Sequence, residues 1–158
     1  MAAHPPARDA HDRHPSWRRS EAPAPRPQAV KSLGRVLIVD DEPGVLDVLT
    51  DIVGSFGYDI STGINGAEAL AIVRMTPPDV VLLDLTMPVM SGREALTHLR
   101  ADHPSIPVVV VAAQVGAVLA LHLKALGAFG YISKPFEVDE IGEALSAAMG
   151  RRRSALVP

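Results

Sequence analysis

The feature that most restricts how this chain can fold is a pair of apolar runs that each end in carboxylates. Val80-Val81-Leu82-Leu83 leads into Asp84, and Val36-Leu37-Ile38-Val39 leads into Asp40-Asp41. Uninterrupted apolar runs of this length read as strands buried on both faces, the kind found in parallel sheets. Parallel strands need crossover connections, and the intervening sequence supplies them. Pro43 suits the first turn of a helix, and Val45, Leu46, Leu49, Ile52 and Val53 follow at helical spacing until Gly54 and Gly57. Tyr58 to Ser61 is a short second strand, and a helix from Asn65 or Gly66 runs through Ala69, Leu70 and Val73 to Pro77-Pro78. After Asp84 a helix from about Ser91 to Arg100 turns Ala95, Leu96 and Leu99 inward, and His103-Pro104 breaks it. Val108 to Val111 is another buried strand, and a helix from Gln114 to Leu126 ends at Gly127. Gly130 to Ser133 forms the fifth strand and Val138 to Met149 the last helix. Strands and helices in strict alternation predict a doubly wound α/β fold with a five-stranded parallel sheet. That architecture alone names no function.

The ends of the strands are more specific. Asp40, Asp41, Asp84 and Lys134 all fall at carboxyl ends, which lie along one edge of a parallel sheet, where such folds bind ligands. Carboxylates a few Å apart repel unless a cation joins them or a proton is taken up. The chain has no cysteine, and oxygen-only ligands favour a hard ion such as Mg²⁺, held by carboxylates together with phosphate and water. A lysine beside them is a point charge for a phosphate. One of Asp40 and Asp41 could instead cap the helix after Pro43, but that role does not account for both together with Asp84.

Asp40-Asp41, Asp84 with Met87-Pro88 and Gly92, and Lys134-Pro135-Phe136 resemble the receiver domain of bacterial two-component response regulators, over about residues 34–150. The resemblance implies a flavodoxin-like (βα)₅ sheet. It implies that Asp84 is the phosphoacceptor for a histidine kinase or phosphotransfer protein. Asp41, Asp84 and the backbone carbonyl of Thr86 would hold Mg²⁺, with help from Asp40, and Lys134, aimed by a cis bond before Pro135, would pair with phosphoryl oxygens. One position departs from the family. Receivers carry Ser or Thr 22 residues before the lysine, and here that position is Ala112. The hydroxyl normally bonds the phosphoryl group and lets an aromatic ring on strand five turn inward; Tyr131 is that aromatic.

The helix over residues 114–126 is apolar almost all round, which calls for cover on more than one side. In receivers this helix belongs to the usual output or dimer face, so either a downstream protein or dimer partner meets it, or it packs more deeply than usual. Residues 1–33 form a basic, Pro- and Ala-rich segment without apolar period, read as a disordered tail. Its scattered basic residues do not amount to a nucleic-acid-binding arm. Residues 151–158, with Arg151-Arg152-Arg153, read as a short basic C-terminal tail. No apolar run reaches the roughly 18 residues that would span a membrane, and no signal segment is evident, so the expected location is the cytoplasm.

The leading expectation is a single-domain response regulator in a phosphorelay, a signalling protein and not an enzyme. The alternative is a degenerate receiver that binds its partner whether or not it is phosphorylated, with Ala112 as the reason. A phosphohydrolase of the haloacid-dehalogenase type would need a second Asp two residues after the nucleophile, where this chain has Thr86. The phosphate-cradling glycine patterns of nucleotide-binding folds are absent.

Overall fold

The computed structural model describes residues 31–156. Most of the expected basic tail, Trp17 included, lies outside the described residues. Its last residues belong to the domain, because the Leu33 N–H donates to the Gly57 carbonyl at 3.0 Å.

Ten elements alternate: β1 (Arg35–Val39), α1 (Pro43–Ser55), β2 (Asp59–Gly63), α2 (Gly66–Met75), β3 (Val80–Asp84), α3 (Gly92–Asp102), β4 (Val108–Ala113), α4 (Ala117–Ala125), β5 (Gly130–Lys134) and α5 (Val138–Leu156). The strands are all parallel, in the order β2-β1-β3-β4-β5, which is the flavodoxin-like arrangement. Alternate strand residues feed two separate apolar layers. Leu37, Val39, Val81, Leu83 and Val110 pack beneath α2, α3 and α4, whereas Val36, Ile38, Leu82 and Val111 pack against Leu49 and Val53 of α1 and Ile141 and Leu145 of α5. Every residue of β3 is buried, as its unbroken apolar run requires. Each such side chain stabilises the fold by roughly 1.5–3 kcal/mol relative to an exposed position.

The structure shifts several boundaries. The second strand extends to Gly63 and α3 reaches Asp102. Helix α4 begins at Ala117, because Gln114 sits at φ 49° and interrupts any helix entering from β4. Its apolar circumference is not resolved by deeper packing: only Leu123 is buried, while Val118 and Leu121 are 84% and 70% exposed. The basic stretch expected as a tail instead prolongs α5 to Leu156. Arg and Ala are good helix formers, and the Arg152 guanidinium anchors the added turns by bonding Ser105 and lying 3.9 Å from Asp79.

Candidate functional site

Strands β1 and β3 are neighbours with Val39 opposite Leu83, so Asp40 and Asp84 emerge side by side at the carboxyl edge. Lys134 closes β5, where it pairs with Ala113, and its long side chain reaches across β4. Its Nζ lies 2.9 Å from Asp40 Oδ2 and 3.3 Å from Asp84 Oδ1. Asp40 is 1% exposed and Asp84 7%, and charges this deeply buried are tolerable only when paired. Asp40 is held from two more directions: its second oxygen accepts the Glu42 N–H at 2.9 Å, and its own N–H donates to the Gly63 carbonyl at 3.1 Å. Asp41 is exposed at the mouth. One carboxylate oxygen from each of Asp40, Asp41 and Asp84 lies within 4.8 Å of the others.

One ammonium facing three carboxylates leaves an unbalanced negative charge. Burial, reinforced by the charge of Asp40, holds the Asp84 carboxyl above its ordinary pKa, and Lys134 only partly offsets this. Burial alone would lower the Lys134 pKa, but its hydrogen bond to Asp40 and the charge of Asp84 outweigh it and raise the pKa. The donor set is oxygen-only and anionic, which fits a hard divalent cation such as Mg²⁺ and is typical of a receiver Mg²⁺ site.

The loops around the pocket are tightly built. The Gly92 N–H donates to the Leu85 carbonyl at 2.9 Å, and a Cβ on Gly92 would run into the Asp84 carbonyl. Only glycine lets α3 start so close to the strand that carries Asp84. Thr86 lies exposed in the intervening loop. Val89 in the same loop takes φ 69° while 86% exposed, an uncommon conformation for a β-branched residue. The Lys134–Pro135 bond is cis.

Asp40, Asp41, Asp84 and Lys134 therefore converge as the sequence predicts. Ala112 is buried near the end of β4, beside Ser133, and brings no donor to the pocket. Tyr131 stays outside: it is 48% exposed on β5 and borders a groove beside α4. Sequence reasoning missed the Glu42 amide and the Gly63 carbonyl that fix Asp40. Both are backbone groups, and no residue pattern marks them.

Comparison with known proteins agrees with this geometry. The sequence profile described as the response regulator receiver domain matches residues 36–146. The chain is 36% identical over 111 residues to sporulation initiation phosphotransferase F of Bacillus subtilis, covering 70% of this chain and 90% of that protein. It is 34% identical over 116 residues to the probable transcriptional regulatory protein TcrX of Mycobacterium tuberculosis, covering 73% of this chain but only 50% of that longer protein. Among solved structures, a CheY-like receiver domain protein from Methanospirillum hungatei superposes with a TM-score of 0.72 at 26% identity, covering 78% of this chain and 98% of that one. Such a domain is a signalling module and not a catalytic enzyme. With its strand order, its acidic pocket and this match in agreement, the chain belongs to the response regulator receiver family of two-component signalling.

Proposed function

We propose that the domain accepts a phosphoryl group on Asp84 from a histidine kinase or phosphotransfer protein and signals through protein contacts. The observation that carries this reading is the buried Asp84 carboxylate within reach of Lys134, beside two further carboxylates. An Asp84 oxygen attacks phosphorus, the bond from phosphorus to the donor histidine nitrogen breaks, and its electron pair stays on that nitrogen. Lys134 is placed to pair with the phosphoryl oxygens, and Asp41, Asp84 and the Thr86 carbonyl, with help from Asp40, would hold Mg²⁺. The ion supplies charge neutralisation for the transferred group, the main requirement of phosphoryl transfer.

The chain spans about half or less of several longer regulators that it matches, and the exposed flank of α4 supports output or dimerisation on that side. No helix among the described residues is long and apolar enough to cross a membrane, and a cytoplasmic location fits phosphorylation by a kinase.

Incubation with Mg²⁺ and acetyl phosphate, followed by intact mass, tests the assignment. The expected result is one added phosphoryl group, lost in Asp84→Asn. A single observation favours the second reading, a degenerate receiver: the buried switch position is Ala112, without a hydroxyl. No mass gain with wild-type protein would select that reading.

A further inference from the structure

Ahead of β4, at the sheet edge remote from Lys134, α3 passes into the strand through a β-turn. The Ile106 N–H donates to the His103 carbonyl at 3.1 Å, which puts Pro104 and Ser105 at the two central positions. The Arg100 guanidinium fixes this turn by donating to the carbonyls of Pro104 at 2.7 Å and Ile106 at 3.0 Å, on either side of Ser105. Ser105 is therefore displayed at an exposed tip whose backbone is held in place.

The Ser105 hydroxyl faces a guanidinium that is short of anions. Arg152 Nη1 donates to Ser105 Oγ. The Arg152 side chain is only 14% exposed, yet Asp79 Oδ1 stands 3.9 Å from its Nε, too far for a hydrogen bond. Nε is buried and has no hydrogen-bond partner. The other Asp79 oxygen already accepts the Arg35 N–H at 2.9 Å. Among the described residues, a neutral hydroxyl is thus the one hydrogen-bonded partner of a charge largely withdrawn from water. Such a charge is undercompensated. Arg151 beside it is exposed and in no ion pair among the described residues. Ser105 and Arg151 line one groove of about 880 Å³, which leaves open space next to the hydroxyl, and no carboxylate among the described residues lines it.

We propose that Ser105 is a phosphorylation site whose phosphoryl group is received by Arg152 and Arg151. The step needs a nucleoside triphosphate brought by a separate serine/threonine protein kinase. Ser105 Oγ attacks the terminal phosphorus, and its proton passes to the kinase's base. The bond from phosphorus to the bridging oxygen breaks, and its electron pair leaves on the nucleoside diphosphate. The product carries about −1.5 to −2 charges and three acceptor oxygens at the place where Arg152 now meets a neutral hydroxyl. Guanidinium–phosphate bonds are charge-assisted and roughly twice as strong as neutral ones. The group therefore clamps the last turns of α5, which carry both arginines, onto the turn before β4. It acts at the opposite edge of the sheet from the acidic pocket and does not depend on phosphorylation of Asp84. A free phosphate has the same chemistry, but Oγ is already the atom in contact with Arg152, at a tip that another protein can reach.

The test uses the full chain with phosphoserine placed at position 105 by nonsense suppression. Followed by phosphorus NMR, the second ionisation of the phosphoserine should fall at least about one unit below its ordinary value near 6, because the guanidinium groups favour the dianion. Arg151→Gln/Arg152→Gln should return it to about 6. Arg151→Gln alone changes an exposed side chain, leaves the fold intact and should restore part of the shift, so the test stands even where the double variant fails to fold. Amide exchange over residues 150–156 should slow on phosphorylation with both arginines present and not in their absence. A phosphoserine that titrates at its ordinary value, with exchange at the end of α5 unchanged, would overturn the proposal. Equal stabilisation of Ser105→Ala and unmodified wild type by inorganic phosphate would overturn it too, since the arginines would then serve a free anion.

Discussion

Helices α3 and α4 cover the same face of the sheet and are similar in length, yet they are held by different forces. In α3 the Ser91 hydroxyl accepts the Glu94 N–H at 3.3 Å, Ala95, Leu96 and Leu99 are buried, and Arg100 ties the helix end to the loop before β4. Helix α4 has Gly116 as its N-cap, with no side-chain cap, and buries Leu123 alone. Its Ala and Leu content gives it good intrinsic propensity, but a helix of 9 residues does not stand alone, so Leu123 and the half-buried Leu119 anchor it to the core. The contrast follows the division of labour around the pocket. Gly92 seats α3 directly on the strand that carries Asp84, whereas α4 follows a loop with Gln114 in the left-handed region. The acidic pocket thus rests on a fixed scaffold, and the flank beside it is loosely held, as expected of elements that move or bind.

Truncation should expose this difference most strongly. Leu99→Ala removes a fully buried side chain of α3 and should cost about 2–5 kcal/mol. Leu121→Ala in α4 should change stability by no more than about 0.5 kcal/mol, because the side chain already faces solvent. Urea denaturation of both variants decides it, and similar losses would erase the distinction.

The same contrast predicts weak signalling across the Ala112 position. A hydroxyl there would bond the phosphoryl group only in the active state, and a bond to a charged group contributes roughly 1.5–3 kcal/mol. Its absence costs about one to two decades of coupling. Ala112→Thr should therefore enlarge the change in the Tyr131 ring resonances on phosphorylation, with wild type responding little. A large wild-type response would mean that another donor already joins the pocket to the loose flank.

The pocket's charge imbalance gives a pH test. The pKa of Asp84 is raised on folding, so the folded state binds more protons than the unfolded chain between the ordinary carboxylate value and the raised one. Stability from this group is present at low pH and is lost as pH rises through the folded pKa. With chelator present, Asp84→Asn should flatten this fall and raise the melting temperature at neutral pH. Asp41→Ala should leave the metal-free domain neutral or more stable, since it removes a repelling charge. A clear loss in either variant would show that the carboxylates act as structural caps. Lys134 contributes in the same direction but in a higher pH window: its raised pKa adds stability that persists up to the ordinary lysine range and disappears above it.

How much of this was legible in the sequence depended on how local the cause was. The runs ending at Asp40 and Asp84 marked two strands and the carboxyl edge, because an unbroken apolar stretch of that length suits a strand buried on both faces. Lys134 could be placed with them because parallel strands share one direction. The start of α4 was not legible, since Gln114-Val115-Gly116 has no strong breaker apart from a glycine that helices also tolerate near their ends. The continuation of α5 was hidden for a related reason: Arg151 to Arg153 look like a solvated tail until Asp79 and Ser105, distant in sequence, are seen to receive Arg152. The groove combines a loop, two helices and a strand end, and no window of sequence contains it.

The smallest expected effect concerns the two helix starts. Ser91→Ala removes a cap from α3 and should cost about 1 kcal/mol. Gly116→Asn adds one to α4. The backbone there is extended at φ −82°, and a Cβ would meet nothing within 4 Å, so the new side chain costs no strain. A cap preferred over glycine contributes a few tenths of a kcal/mol, and losing a glycine's unfolded-state freedom adds about as much again. Global denaturation will barely register that sum. Amide hydrogen exchange will, because the first turn of α4 opens locally and its exchange tracks that opening. Slower exchange confined to the first turn of α4 in Gly116→Asn, with α3 unchanged, is the expected result. If exchange does not slow, the looseness of α4 comes from its missing burial alone, and the absent cap plays no part in it.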